Sequence, residues 1–145
     1  MNTIVSSNHL FVYGTLMRSF THREAQLFHE GARFIGTARM PGYLYRVSWY
    51  PAAVYHPTTE SQSVNDWVYG ELWLITNNRL LDQIDDYEEC TATHPQPHEY
   101  VRAMNKIQLI ESNQWLTAWV YLYQRDTTAL QRIADGRFIA TNQSI

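Results

Sequence analysis

Five of the chain's 14 acidic residues fall between Asp82 and Glu89. Asp82, Asp85, Asp86, Glu88 and Glu89 offer three kinds of chemistry: a solvated face, a cation cage, or a single working acid. The stretch "LLDQIDDYEE" separates them when it is wound as a helix at roughly 100° per residue. Leu80, Leu81, Ile84 and Tyr87 then share one apolar arc that must face a core. Asp82, Asp85, Asp86 and Glu89 fall outside that arc, and the pattern assigns them to solvent. Glu88 follows Ile84 by four positions and Leu81 by seven, which brings it to the edge of the arc. A carboxyl turned inward loses hydration, its pKa rises, and it becomes suited to general acid/base work near neutrality. The competing expectation is a helix frayed by Glu88, leaving it a surface residue or an ion-pair partner for Arg102. A metal cage would need several carboxylates converging on one point, and the periodicity turns only Glu88 inward.

A second candidate lies in "VYGTL". Gly14 has no β-carbon, so the chain can turn sharply there and a ligand can approach the backbone. The N–H groups of Gly14, Thr15 and Leu16 are then able to form a small anion nest, suited to a carboxylate or to the oxyanion of acyl transfer. On its own the signal serves equally well as an ordinary turn.

Other spacings carry less. Cys90, His94 and His98 invite a zinc reading, but the single cysteine and the intervening prolines fall short of the paired ligands of structural zinc motifs. Cys90 with His94 as nucleophile and base is a coincidence expected of any cysteine near a histidine. No metal or other cofactor is expected. His22 and His29, seven apart on a first helix, are expected at the surface.

The elements that must position these groups follow from periodicity and breakers. "HLFVYGTL" reads as a buried strand, His9 to Tyr13, ending at Gly14. Thr21 is expected to cap a helix through "HREAQLFHE", with Glu24 completing a capping box and Gly31 stopping it. "ARFIGTARM" and "YLYRVS" read as strands divided by a Pro41-Gly42 turn, "PAAVYH" as another strand, and His56 to Asp66 as a loop. "WVYGELWLI" is a strand, and Thr76 or Asn77 caps the acidic helix. "EYVRAMNKIQLI" and "WLTAWVYLYQ" form a long hairpin about Glu111 to Gln114. An amphipathic helix over Thr127 to Ala134 is expected before Gly136. With few helical crossovers, a doubly wound parallel sheet is disfavoured, and the expected class is α+β: a small mixed, strongly curved, barrel-like sheet with peripheral helices.

At 145 residues the chain is expected to form a single domain, 1–145, with a substantial core. Its net charge of -3 and scattered basic residues provide no basic stripe, so neither nucleic acid nor an anionic membrane is an expected partner. The lone Cys90 excludes an internal disulfide and suits a reducing compartment. No signal peptide or bilayer-spanning apolar run is visible, so a soluble cytoplasmic protein is the expectation. The oligomeric state has no signature here.

"FVYGTLM", "YPAAV", "VYGELW", "IDDYEEC" followed by "YVR", and "AWVYLY" occur in that order. The chain thereby resembles the γ-glutamylcyclotransferase-like family, including its AIG2-like and γ-glutamylamine cyclotransferase branches, over roughly Leu10 to Gly136. The resemblance implies a barrel-like α+β fold and a small-molecule γ-glutamyl substrate bound at the YGTL turn, here Tyr13, Gly14, Thr15 and Leu16. It implies that the catalytic glutamate of the family's L-D-x-x-E-G motif is Glu88, the carboxylate the helical periodicity also turns inward. The reaction implied is intramolecular aminolysis releasing 5-oxoproline, without a cofactor. Two departures stand out: Glu89 replaces the motif glycine, and the segment Glu89 to His98 is longer than in compact members of the family and could act as a lid. A non-enzymatic module binding an amino-acid-like ligand, and an enzyme acting on a γ-glutamylated intermediate of a specialised pathway, remain open alternatives.

Overall fold

The computed structural model describes residues 8–56, 66–77, 79–89, 94 and 96–139. Its elements are β1 (His9–Val12), α1 (Arg23–Glu30), β2 (Ala32–Arg46), β3 (Pro51–Tyr55), β4 (Trp67–Ile75), α2 (Arg79–Tyr87), β5 (Tyr100–Leu109), β6 (Trp115–Tyr123) and β7 (Gln131–Arg132). The strand order β2-β4-β1-β6-β5 closes on itself because β5 also pairs with β2. The result is a five-stranded, barrel-like mixed sheet with two helices packed outside it, an α+β fold. All pairs are antiparallel except β1 with β6, which run parallel with Leu10 opposite Trp119.

β1 explains its own sequence. Side chains alternate faces along a strand, so Leu10 and Val12 pack beneath the helices while Phe11 and Tyr13 enter the barrel interior. Both faces are covered, and the run "LFVY" is therefore continuously bulky instead of alternating with polar residues. The helix-facing core joins Leu10 and Val12 to Phe28 of α1 and to Leu80 and Ile84 of α2. The interior core joins Phe11 to Met40, Leu72, Ile107 and Val120.

Three expectations are corrected. Pro41-Gly42 is not a turn between two strands. β2 runs on through it, its first part pairing with β4 and its last, Gly42 to Arg46, leaving the barrel to pair with β3. A side chain at Gly42 would place its Cβ 2.2 Å from the Val54 carbonyl oxygen, so glycine here permits close strand approach. The expected helix over Thr127 to Ala134 is a turn followed by β7. Tyr45 and Arg46 of β2 pair with Arg132 and Gln131, and the Ile133 N–H donates to Leu44 O at 2.7 Å. The unpaired edge of β2 claims backbone groups that a helix this short holds only weakly. The cap of α1 is His22, whose Nδ1 accepts the Ala25 N–H at 3.3 Å; Thr21 instead offers its carbonyl to Gln26.

Ahead of α2, Asn77 Oδ1 accepts from Arg79 N–H at 3.0 Å, while residue 78, between them, lies outside the described residues. Most of the loop after His56, and Cys90 with the residues up to 93, lie outside the described residues. The Cys90 and lid expectations therefore fall there in large part.

Candidate active site

The YGTL turn is held from every side. Tyr13, Thr15 and Leu16 each keep under a tenth of their surface exposed. Met17 N–H donates to Gly14 O at 3.1 Å, closing a β-turn with Thr15 and Leu16 at its corners. Gly14 is required by contact, since a Cβ there would lie 2.8 Å from Pro51 Cγ and Cδ. Thr15 Oγ1 shares a hydrogen bond with the Tyr87 hydroxyl of α2 at 2.9 Å. His22 Nε2 lies 2.7 Å from Thr15 O, and His29 Nε2 lies 2.8 Å from Leu16 O. The two histidines are thus not the surface residues expected from their spacing; they are half-buried and turned onto this loop. Beyond the turn, Arg18 donates through N and Nε to the buried Glu71 carboxylate, which also accepts Trp73 Nε1.

Neither Thr15 N–H nor Leu16 N–H donates to another described residue. Backbone donors in buried segments are nearly always satisfied. Two unused ones at the wall of a cavity make a site for an oxygen-bearing ligand.

Glu88 follows the last residue of α2, and its N–H still donates to Ile84 O at 2.8 Å. The helical geometry therefore extends one residue further, which keeps Glu88 on the face of Ile84, as the periodicity predicts. Burial pushes its carboxyl up to about 8, with the nearby Glu99 and Asp85 charges adding to the effect. No hydrogen bond ties that carboxyl to another described residue. The next residue, Glu89, takes the left-handed conformation at φ 58°, one that glycine adopts without penalty and that commonly ends a helix.

The expected solvent face of α2 is correct for Asp82, Asp86 and Glu89, all exposed, and wrong for Asp85. Arg102 of β5 donates Nε and Nη2 to the two Asp85 oxygens at 2.9 and 3.1 Å, and the Tyr121 hydroxyl of β6 donates to Oδ1 at 2.6 Å. Arg102 also lies 4.4 Å over the Trp119 ring. The Arg102 partner is thus Asp85 and not Glu88. A position at the boundary of a helical face is claimed by whatever cation the facing strand presents, which periodicity does not reveal.

Tyr13, Gly14, Thr15, Leu16 and Glu88 wall one cavity of about 340 Å³. Trp49, Tyr50, Pro51, Glu99, Tyr100 and Tyr121, none of them singled out from the sequence, line it too, with Phe11 and Val12 of β1 and with Tyr87 and Glu89 at the end of α2. The Tyr50 hydroxyl donates to Glu99 Oε2 at 2.7 Å and the Tyr100 hydroxyl to Pro51 O at 2.6 Å. Tyr13 spends its hydroxyl on Tyr121 O, so it contributes its ring to the wall and not a free donor. Burial holds the Tyr13, Tyr100 and Tyr121 hydroxyls above their ordinary range, so they remain protonated donors. No lysine, arginine or histidine is among the described residues walling the cavity. Among the described residues no group of three or more His, Cys, Asp or Glu side chains is placed to hold a metal ion. None of the described helices is long and apolar enough to cross a membrane.

A closed mixed barrel with a cavity of this size, walled by one elevated carboxyl and by the YGTL turn, has the dimensions and chemistry of a small-molecule pocket. The chain belongs to the gamma-glutamyl cyclotransferase, AIG2-like family, whose model matches residues 10–140. It is 30% identical over 132 residues to the gamma-glutamylcyclotransferase family protein YtfP of Escherichia coli strain K12, covering 90% of this chain and 95% of that one. The corresponding protein of Citrobacter rodentium is 30% identical over 135 residues, covering 92% and 97%. Among solved structures, an AIG2-like protein from Mus musculus superposes with a TM-score of 0.68 at 23% identity, over 91% of this chain and 88% of that one. The E. coli ytfP structure gives 0.60 at 25% identity, over 90% and 96%.

Proposed function

We propose that this protein is a cyclotransferase that releases 5-oxoproline from a γ-glutamyl amine or γ-glutamyl amino acid by intramolecular aminolysis. The observation that carries this reading is the pairing, in one cavity, of the Glu88 carboxyl at about 8 with the unused N–H groups of the YGTL turn. In the proposed reaction the substrate's α-amine attacks its own γ-carbonyl carbon. Glu88 takes the proton from the attacking ammonium, the amide C–N bond breaks, and the same proton passes to the departing nitrogen. Products are 5-oxoproline and a free amine, with no water consumed. The Thr15 and Leu16 N–H groups stabilise the carbonyl oxygen as it gains charge. Because nucleophile and electrophile belong to one molecule, the cavity need only fold the γ-glutamyl chain into attack geometry.

Glu89 in place of the motif glycine holds the left-handed exit conformation a glycine would take, and it lines the same cavity beside Glu88. The test is 5-oxoproline release from a panel of γ-glutamyl amino acids and γ-glutamyl amines, run beside E88Q. Product from wild type and none from folded E88Q supports the reaction and its acid/base together, and the best substrate names the leaving group. A folded wild type that binds panel members and turns over none of them would point to a binding module.

A further inference from the structure

Thr15 and Leu16 are the corner residues of the Gly14–Met17 turn, so the peptide joining them is its central peptide. That peptide is the part of a β-turn that can rotate by half a revolution, which is what distinguishes type I from type II. Its C=O belongs to Thr15 and its N–H to Leu16, and in a trans peptide the two point in opposite directions. The direction of the Thr15 carbonyl therefore sets the direction of the Leu16 N–H. The Thr15 carbonyl is engaged by His22 at 2.7 Å. His22 Nδ1 accepts the Ala25 N–H, which places the ring proton on Nε2 as the donor to Thr15. The neighbouring peptide is pinned at both ends, by His29 on Leu16 O and by the Met17 N–H on Gly14 O. Tyr87, hydrogen-bonded to Thr15 Oγ1, lies nearly parallel to the His22 ring with centroids 6.1 Å apart.

We propose that His22 is a positioning residue of this site: by holding the Thr15 carbonyl it keeps the Leu16 N–H aimed into the cavity as an oxyanion donor. This rests on the cyclotransferase reading, in which that N–H meets the γ-carbonyl oxygen. The ring does two separable jobs, because Nδ1 caps α1 and Nε2 holds the turn. Asparagine places a polar atom where Nδ1 sits and does not reach Thr15. Glutamine reaches the Nε2 position and caps poorly.

H22N and H22Q are therefore compared with wild type in three ways: the kcat and KM with which each releases 5-oxoproline, the Tm, and the Leu16 amide resonance with and without 5-oxoproline. H22N is expected to keep its Tm within a few degrees and to lose about tenfold or more in kcat with KM little changed, short of the loss from deleting an oxyanion donor outright. H22Q is expected to recover most of that kcat despite a lower Tm. 5-Oxoproline should shift the Leu16 amide in wild type and H22Q and leave it unmoved in H22N. Folded H22N with wild-type kcat and a responsive Leu16 amide overturns the proposal, as does activity that follows Tm through both variants. If wild type releases no 5-oxoproline, the cyclotransferase reading fails. The positioning claim is then judged on the ligand-free Leu16 amide, which must differ between wild type and H22N and return in H22Q; an identical resonance in all three overturns it.

Discussion

Arg102 and Asp85 meet through two parallel hydrogen bonds, joining the start of β5 to the last turn of α2. Glu88 stands three residues beyond Asp85 on the same helix. The ion pair, tightened by the Tyr121 hydroxyl and by Trp119 under the guanidinium, thereby fixes the height and rotation at which Glu88 enters the cavity. D85N should cost about 1–3 kcal/mol in urea unfolding, less than a fully buried pair because Arg102 and Asp85 both keep some solvent contact. It should also lower 5-oxoproline release by more than its loss of folded protein explains, because the helix end that carries Glu88 is loosened.

The Glu88 carboxyl dictates how stability varies with pH. Its pKa is about 8 when folded against an ordinary value of 4.5, so between those limits the folded state binds more proton than the unfolded state. Stability from this group is at its best below 4.5, falls as pH rises through the interval, and is lowest above 8. E88Q carries no such charge. Its Tm should match wild type near pH 4.5 and exceed it increasingly towards pH 8, measured by calorimetry in matched buffers. A constant difference across that range would contradict the burial of this carboxyl.

In the proposed reaction the same group sets the acid limb of the rate profile. A base works only when unprotonated, so wild-type kcat/KM should rise with pH and level off above about 8, reporting the free enzyme. E99Q removes one of the two charges that push Glu88 upward and should move that limb to lower pH. An unmoved limb would mean that Glu99 does not act on Glu88 electrostatically.

Gly14 faces Pro51 with no room for a methyl group, its Cβ position lying 2.8 Å from two proline carbons. G14A should destabilise the protein by about 1–3 kcal/mol as an overpacking change. The same shift displaces the turn carrying the Thr15 and Leu16 donors, so 5-oxoproline release should fall by about tenfold or more. Denaturant unfolding and turnover of the purified variant check both parts.

Glu89 occupies a left-handed conformation at φ 58° that disfavours any side chain. E89G should stabilise the fold by about 0.5–1 kcal/mol, the relief of αL strain partly offset by the greater freedom of glycine in the unfolded chain. A shift of the urea midpoint at unchanged slope is the expected signature.

Much of this architecture was legible because it rests on local rules. The 3.6-residue period separated Leu80, Leu81, Ile84 and Tyr87 from Asp82 and Asp86, and brought Glu88 to the cavity side. The glycine after a doubly buried strand marked the turn. What stayed hidden depends on partners far along the chain. Asp85 reads as solvated until β5 brings Arg102 beside it, and His22 and His29 read as surface residues until the turn folds back beneath them. Tyr50, Glu99 and Tyr100 carry no spacing signal, since they reach the cavity from a strand connection and the start of β5. The segment around Gln131 has a helical pattern, yet an open strand edge overrode it.

The parallel contact of β1 with β6 joins Leu10 to Trp119, and next to it Tyr13 reaches Tyr121 across 108 positions of sequence. Loop-closure entropy must be overcome before so distant a contact yields anything. On a chain emerging from the ribosome, the YGTL turn appears about a hundred residues ahead of β6 and waits for that strand before the wall behind it exists. α1 and the early strands can form sooner, but no half-built chain has half a cavity. Completion of the site is thereby coupled to the synthesis of β6, and fragments ending before Tyr121 should fail to bind the proposed substrate.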